Sequence, residues 1–296
     1  MRSRTGPASA ARLCALNAGI QVVWGAVLAV TLQERSSALG GGDGVRAYAT
    51  VAASGALAAT IVQLVAGRLA DRRRARTGNR GAFYAIGVAF SLPALGWLYL
   101  APTFPQLVAA FLALECAMNV VGGPYQAAIA DYVPPRKRGA ASSWMAAYQS
   151  IGNAAGLLVA GFVHDLRAVA LALGVSLAGT YAVTARHIAT LGSAAPEDEP
   201  VAVPAPRATL VNLLLSRGAI NLGFFTLLGF LLFFVRDSLR VAQADVSTQT
   251  ALLFLAFTLS AVAGAAVAAR PADRYDKRAV ASSAIGVAIV ALAALA

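Results

Sequence analysis

Long apolar segments alternate with short polar ones along the whole chain. A membrane-spanning helix needs about 20 mostly apolar residues, and nine segments come close to that length. We therefore predict an all-α membrane protein with about nine transmembrane helices. The predicted spans one to nine are Ala11–Leu32, Ala47–Leu69, Ala82–Ala101, Gln106–Ala130, Ala140–Val163, Ala168–Ile188, Leu210–Val235, Thr248–Ala268 and Ala279–Ala296.

The composition supports a bilayer as the solvent of this chain. Of its 296 residues, 58% are hydrophobic and only 12% are charged, and the mean hydropathy is +0.68. Soluble domains carry about 25% charged residues. Cys14 and Cys116 lie in apolar segments without disulfide or metal-site spacing, so we expect no metal and no cofactor.

The basic residues predict how the chain is oriented. If the N-terminus is cytoplasmic, 18 Lys and Arg residues fall on the cytoplasmic side and five on the opposite side. This asymmetry follows the positive-inside rule and predicts a multi-pass protein of the cytoplasmic (inner) membrane. The net charge of +11 is spread over short clusters between spans, so we expect no nucleic-acid partner.

A polar segment divides the spans into two groups. The stretch 192–206 reads GSAAPEDEPVAVPAP, which is acidic, rich in proline and typical of a linker. We predict an N-terminal six-helix bundle over residues 1–190, a cytoplasmic linker over 191–207 and a partial C-terminal bundle over 208–296.

Two loops share a charged motif. The loop after span two has Asp71-Arg72 four residues after Gly67, then further arginines, and finally Gly78 and Arg80. The loop after span eight repeats the Asp-Arg pair as Asp273-Arg274, four residues after Ala269. Such repetition predicts two related six-helix halves.

These loops resemble the signature of the major facilitator superfamily. The arginine-rich first loop, Asp131-Tyr-Val-Pro134 and the segment starting at Arg217 are similar to the glycoside–pentoside–hexuronide and sucrose-type branch. The resemblance implies a twelve-helix fold in which helices 1, 4, 7 and 10 line a central cavity. Since only nine spans are present, we expect a C-terminally truncated chain that does not transport alone.

The signature residues are interpreted as a gate. An aspartate at a helix end can pair with arginines or cap a neighbouring helix, and it can do so in one state of a transporter only. The alternative is a basic loop that only sets the topology. The predicted gating residues are Gly67, Asp71, Arg72, Gly78, Arg80, Asp273 and Arg274.

Polar residues inside predicted spans indicate a solute pathway, because they are costly in the bilayer. In spans one and seven they recur at i, i+4 and i+7, and in span four at i and i+4, so each set shares one helix face. The predicted substrate-binding residues are Asn17, Gln21, Trp24, Asn119, Arg217 and Asn221.

Glu115 is the one carboxylate near the middle of a predicted span. Burial disfavours its charged form, so it could exchange a proton as hydration changes. Alternatively, it is a structural carboxyl group bonded to a neighbouring helix. Arg217 could bind a substrate carboxylate, pair with Glu115 or extend to the membrane surface. Aromatic side chains such as Trp24 could stack on a sugar or simply pack.

We therefore predict a proton-coupled secondary transporter for a small polar organic solute, sugar-like by resemblance, working by alternating access as a monomer. Efflux of a drug or metabolite is the nearest alternative. A non-transporting scaffold or sensor is a further one. A membrane enzyme would need paired carboxylates or a nucleophile–base set, which the spans lack, so we expect no enzymatic activity.

Overall fold

The computed structural model describes residues 7–134, 137–191, 207–239, 241–242, 245–274, 282–283 and 286. Within 207–274 it describes only some of the side chains. This described part contains ten α-helices. These ranges contain no strand, so the all-α prediction is confirmed. Helix α1 (Pro7–Ala26) continues through a π-helical turn (Val27–Thr31) into α2 (Leu32–Leu39). The other helices are α3 (Gly44–Thr77), α4 (Gly81–Leu100), α5 (Phe104–Tyr125), α6 (Ala128–Tyr132), α7 (Arg138–Phe162), α8 (Leu166–Leu191), α9 (Arg207–Phe233, followed by a π-helical turn at Phe234–Ser238) and α10 (Val246–Arg274).

Fewer membrane-spanning helices than predicted are found in the described part of the chain. Five described segments are long and apolar enough, so the count of nine is not supported. Gln149 and Asn153 reduce the apolar content of α7, and the apolar part of α10 is short (Val246–Ser260). The predicted linker and most of predicted span nine lie outside the described residues. The five segments are Ala8–Leu39, Gly44–Thr77, Gly81–Leu100, Phe104–Tyr132 and Leu166–Leu191.

Local signals fix both ends of the long helix α3. At its start, the Asp43 side chain accepts a hydrogen bond from the backbone N–H of Arg46 at 2.9 Å, as an N-cap does. At its end, Gly78 adopts a φ of 71° and donates its N–H to the carbonyl of Arg74. This left-handed cap favours glycine and turns the chain directly into α4.

Close glycine contacts hold α1 against α7, its most extensive helix partner. A Cβ added at Gly152 of α7 would lie 2.6 Å from the carbonyl oxygen of Ala18, and one at Gly156 would lie 2.8 Å from the carbonyl carbon of Val22. On α1, a Cβ at Gly25 would lie 2.8 Å from Cα of Asn153. The two backbones therefore touch, which is possible because small residues stand at these positions.

The remaining helices extend this packing in two compact units, Met1–Leu252 and Leu253–Ala296. In the first unit α8 packs on α1 and α4, and α5 packs between α3 and α4. A Cβ added at Gly87 of α4 would lie 2.6 Å from the backbone nitrogen of Val121 of α5. In the second unit, Phe254 and Phe257 contact each other with ring centroids 5.8 Å apart.

Gly156→Ala should destabilise the protein by about 2 kcal/mol or more, because the added methyl group would overlap the α1 backbone. Gly179→Ala on α8 is the matched control, since a Cβ there meets no atom within 4 Å. It should be neutral or stabilising by about 0.5–1 kcal/mol, as alanine is the better helix former. Unfolding of the purified variants in detergent measures both effects. Equal effects at the two positions would contradict the close contact.

Candidate functional site

A buried group of charges joins the ends of three helices, and we call Asp71, Arg74, Arg80 and Asp131 the charge cluster. Arg80, at the start of α4, places Nη1 2.5 Å from Oδ2 of Asp131 in α6 and Nη2 2.5 Å from Oδ1 of Asp71 in α3. Arg74 of α3 places Nη1 3.1 Å from the other oxygen of Asp131. Asp131 thus binds two guanidinium groups at once.

Burial makes the Arg80–Asp131 pair the costly part of this cluster. Each of the two side chains is only 7% exposed, whereas Asp71 is 67% exposed. Removing a charge from water costs desolvation free energy, and the attraction between two opposite charges offsets that cost. Either charge alone would have no such offset. The two arginines and two aspartates balance in charge, so the cluster is neutral as a whole.

The other predicted gating residues have different surroundings. Gly78 forms the cap of α3, and Arg72 is exposed. A Cβ at Gly67 would meet no atom within 4 Å, so no close helix contact is made there among the described residues. The side chains of Asp273 and Arg274 lie outside the described part of the chain.

Sequence reasoning missed Asp131 and Arg74 as members of the cluster. Asp131 was noted only as part of a motif, and Arg74 only as one arginine among several. The available signal was a carboxylate at the end of an apolar span that faces an arginine-rich loop on the same side of the membrane. Such a carboxylate needs a basic partner.

In the middle of α5, Glu115 and Asn119 form a pair on one helix face. Nδ2 of Asn119 donates to Oε2 of Glu115 at 3.0 Å and to the Glu115 carbonyl at 2.9 Å. Glu115 is 8% exposed, and its Cγ would lie 3.2 Å from a Cβ added at Gly55 of α3. Within the described residues, the carboxylate has no hydrogen-bond partner on another helix.

The predicted binding residues of α1 are placed at its contact with α7. Asn17 is 5% exposed and donates Nδ2 to the carbonyl of Met145 at 2.9 Å. Gln21 and Trp24 are half-buried on the same face. Arg217 and Asn221 lie in α9, but their side chains are outside the described part of the chain.

Aromatic side chains close the end of the molecule opposite the charge cluster, and we call Tyr48, Phe230, Phe233 and Arg236 the far-end cluster. The Tyr48 ring of α3 lies 5.6 Å from that of Phe230 and 5.7 Å from that of Phe233, both in α9. The Arg236 guanidinium carbon stands 5.0 Å from the Phe233 ring centroid. The sequence offered only the aromatic content of α9 as a signal for this contact.

Further contacts at this end also connect the first helices to α9 and α10. Among the preceding helical segments, α9 contacts mainly the π-helical turn after α1 and helix α2. The hydroxyl of Thr248 in α10 donates to the carbonyl of Gly161 at 2.9 Å. Ser247 hydrogen-bonds the carboxyl group of Glu34 in α2, a half-buried acid that the sequence reasoning did not use.

Several apolar helices that are long enough to cross a membrane define a polytopic membrane protein. The chain matches the Major Facilitator Superfamily over residues 14–296 and belongs to that family of membrane transporters for small molecules. A comparison with curated proteins gives no match.

Asp131→Asn should lower the free energy of unfolding by about 3 kcal/mol, because it removes the buried carboxylate partner of buried Arg80 and leaves only the exposed Asp71. Adding Arg80→Gln to this variant should recover part of the loss, since no buried charge then remains opposite position 131. Arg72→Ala, at an exposed arginine of the same loop, should change stability by no more than about 0.5 kcal/mol. Denaturation in detergent measures all three, and an Asp131→Asn variant as stable as Arg72→Ala would contradict the pairing.

Proposed function

We propose that this chain is a secondary active transporter that moves a small polar organic solute across the cytoplasmic membrane together with protons. The resemblance to the sucrose-type branch supports a sugar-like solute. The mechanism is alternating access, in which two helical bundles rock about a site near the middle of the bilayer. Membership of the family supports the class of activity, and the residues below support the coupling.

The observation that carries the proton-coupling proposal is the isolation of Glu115 in the middle of α5. Its carboxylate is 8% exposed and is bonded only to Asn119 of its own helix among the described residues. A structural carboxyl group would be expected to bond a neighbouring helix. Without such a bond, Glu115 can gain and lose a proton as water reaches it in one state and not in the other.

The solute would contact the polar faces of α1, α5 and α9. Gln21 and Trp24 are more exposed than Asn17, whose amide nitrogen is already bonded to Met145. We therefore propose that Gln21 and Asn119 provide hydrogen bonds and Trp24 an aromatic surface. The proposed substrate-binding residues are Asn17, Gln21, Trp24, Asn119, Arg217 and Asn221.

The far-end cluster is proposed to act as a gate. The charge cluster, which contains the predicted gating residues Asp71 and Arg80, is proposed to brace the helix ends on the other side. With the N-terminus in the cytoplasm, as the 18-to-5 distribution of basic residues indicates, the charge cluster is cytoplasmic and the far-end cluster is external. We propose that the N-terminal bundle ends near residue 190 and that a linker over 191–207 joins it to α9. Contacts of α9 at the far end then correspond to a state closed to the outside.

Glu115→Gln should abolish proton movement coupled to the solute but leave solute exchange at equal concentrations, because a neutral amide resembles the protonated carboxyl group. The protein is reconstituted in liposomes that contain a pH-sensitive dye. A panel of mono- and disaccharides is then added, and uptake and internal pH are recorded together.

The matched control is Glu34→Gln, which removes a half-buried carboxylate of α2. It should retain proton-coupled uptake. Loss of coupling in Glu34→Gln but not in Glu115→Gln would transfer the role to α2. Coupled uptake in Glu115→Gln at the wild-type level would contradict the assignment of the proton to Glu115.

A crosslink across the far-end cluster should stop transport, because alternating access requires α3 and α9 to separate. Cysteines are placed at Tyr48 and Phe233 after Cys14 and Cys116 are replaced by alanine, and a short bis-methanethiosulfonate is added, which forms a disulfide with each cysteine and releases methanesulfinate. Uptake should fall to less than about a tenth and return with a reductant.

The control variants carry only one of the two new cysteines, Tyr48→Cys or Phe233→Cys. Each is treated with the same reagent, which cannot join α3 to α9 through a single cysteine. Uptake by the treated single-cysteine proteins should be unchanged. If the Tyr48–Phe233 pair also transported normally when crosslinked, the far-end cluster would not be a gate.

A further inference from the structure

One turn of the helical segment that begins with α1 is not α-helical. In the π-helical turn Val27–Thr31, the N–H of Leu32 donates to the carbonyl of Val27, five residues earlier. In an α-helix the same N–H would bond the carbonyl of Leu28, four residues earlier. The turn therefore takes the ordinary partner away from the Leu28 carbonyl, in a segment of which all other residues are buried.

The side chain of Gln33 in α2 supplies the missing donor. Its Nε2 lies 2.8 Å from the carbonyl oxygen of Leu28 and 3.0 Å from that of Ala29. The side chain is fully buried, at 0% exposure. A buried backbone carbonyl without a partner is costly, above all where no water can reach it. The Gln33 amide therefore stabilises the π-helical turn at this position.

The turn directly follows the close backbone contacts of α1 with α7. A Cβ added at Gly156 of α7 would lie 2.9 Å from the backbone nitrogen of Ala26, the residue before the turn. At the end of the turn, the hydroxyl oxygens of Thr31 and of Tyr99 in α4 lie 2.7 Å apart. Helix α2, which follows, packs on α3 and also contacts α9. The turn therefore joins a segment fixed on α7 to a segment with different partners.

The turn also sets which face of α2 meets α9. A π-helical turn spans one residue more per hydrogen bond than an α-helical turn does. If the same residues formed an α-helix, α2 would rotate by about 100° and shift by about 1.5 Å along its axis. The hydroxyl of Ser37 in α2 accepts from Nη1 of Arg236, in the π-helical turn after α9, at 3.4 Å. This contact would be lost after such a rotation.

We infer that Gln33 is a positioning residue for the contact between α2 and α9 beside the far-end cluster. It holds the π-helical turn of α1, and that turn holds α2 in register with α9. Gln33 acts through the backbone of α1 and not on the solute. The importance of this register for transport rests on the proposed function, in which the far-end cluster is a gate.

Crosslinking of the full chain measures the register of α2 without any need for transport. Ser37→Cys and Arg236→Cys are introduced in the protein without native cysteines, and a short bis-methanethiosulfonate joins them through two disulfides. Gln33→Met keeps the length of the side chain and removes the donor, so the rate of crosslinking should fall about tenfold. Gln106→Met is the matched control, because this glutamine near the start of α5 is exposed, and it should leave the rate unchanged.

Deletion of Leu28 separates this role from a general loss of stability. The deletion removes the additional residue, so the turn becomes α-helical, no carbonyl lacks a partner and α2 keeps its face. The protein with the deletion alone should crosslink as the wild type does. Adding the deletion to Gln33→Met should restore the wild-type rate, and a Gln33→Met protein that folds only with the deletion would support the inference as well.

Two results would overturn the inference. One is a Gln33→Met protein that crosslinks at the wild-type rate. The other is a double variant that crosslinks no faster than Gln33→Met alone. Solute uptake should follow the crosslinking rate across the four proteins. A wild type that crosslinks as expected but takes up no solute would contradict the proposed transport and would still support the role of Gln33.

Discussion

Inside a bilayer there is no water to which a polar group can hydrogen-bond, so the protein itself has to supply the partner. The arrangement of these helices depends on that constraint. The hydroxyl of Thr184 in α8 donates to the carbonyl of Arg12 at 3.1 Å and accepts from the N–H of Leu16 at 3.0 Å. These two groups are the i and i+4 partners of one helical turn of α1. Tyr125 likewise donates its hydroxyl to the carbonyl of Leu13 at 2.8 Å. These contacts, together with the glycine contacts to α7, place α1 at the centre of the first bundle.

The same constraint separates the structural polar groups from the functional candidates. An amide or hydroxyl at mid-membrane can be satisfied by one backbone carbonyl, as Asn17 is by Met145. A single neutral hydrogen bond is not sufficient for a carboxylate, because its negative charge also has to be compensated. Asp131 meets this need with two arginines at a helix end. Among the described residues Glu115 has only the amide of Asn119, and this difference in compensation, rather than depth alone, is the reason why we propose it for proton exchange.

The sequence predicted those features that depend on local pattern and left out those that depend on distant contacts. Apolar length located the helices, and the cap at Gly78 follows from a glycine at the end of an arginine-rich turn. The sequence did not predict that the helical segment starting with α1 continues through α2 to Leu39. The charged residues Glu34 and Arg35 suggested the end of a span, but the helix extends beyond the apolar residues. The partner of Arg80 was missed because Asp131 is 51 residues away, and pairing at that distance depends on the packing of α3, α4 and α6.

The charge cluster and the far-end cluster differ in a way that bears on how the bundles can move. All four members of the charge cluster lie on α3 and α6 or directly before α4, so in the proposed mechanism this cluster braces the first bundle and can persist while the bundles rock. The far-end cluster joins α3 to α9 through ring contacts, which have no strong directional bond to break. An interface that must open repeatedly is better built from such contacts than from a buried ion pair, whose separation would expose two charges to a low dielectric. The ion pair therefore suits a fixed brace, and the aromatic contact suits a surface that separates.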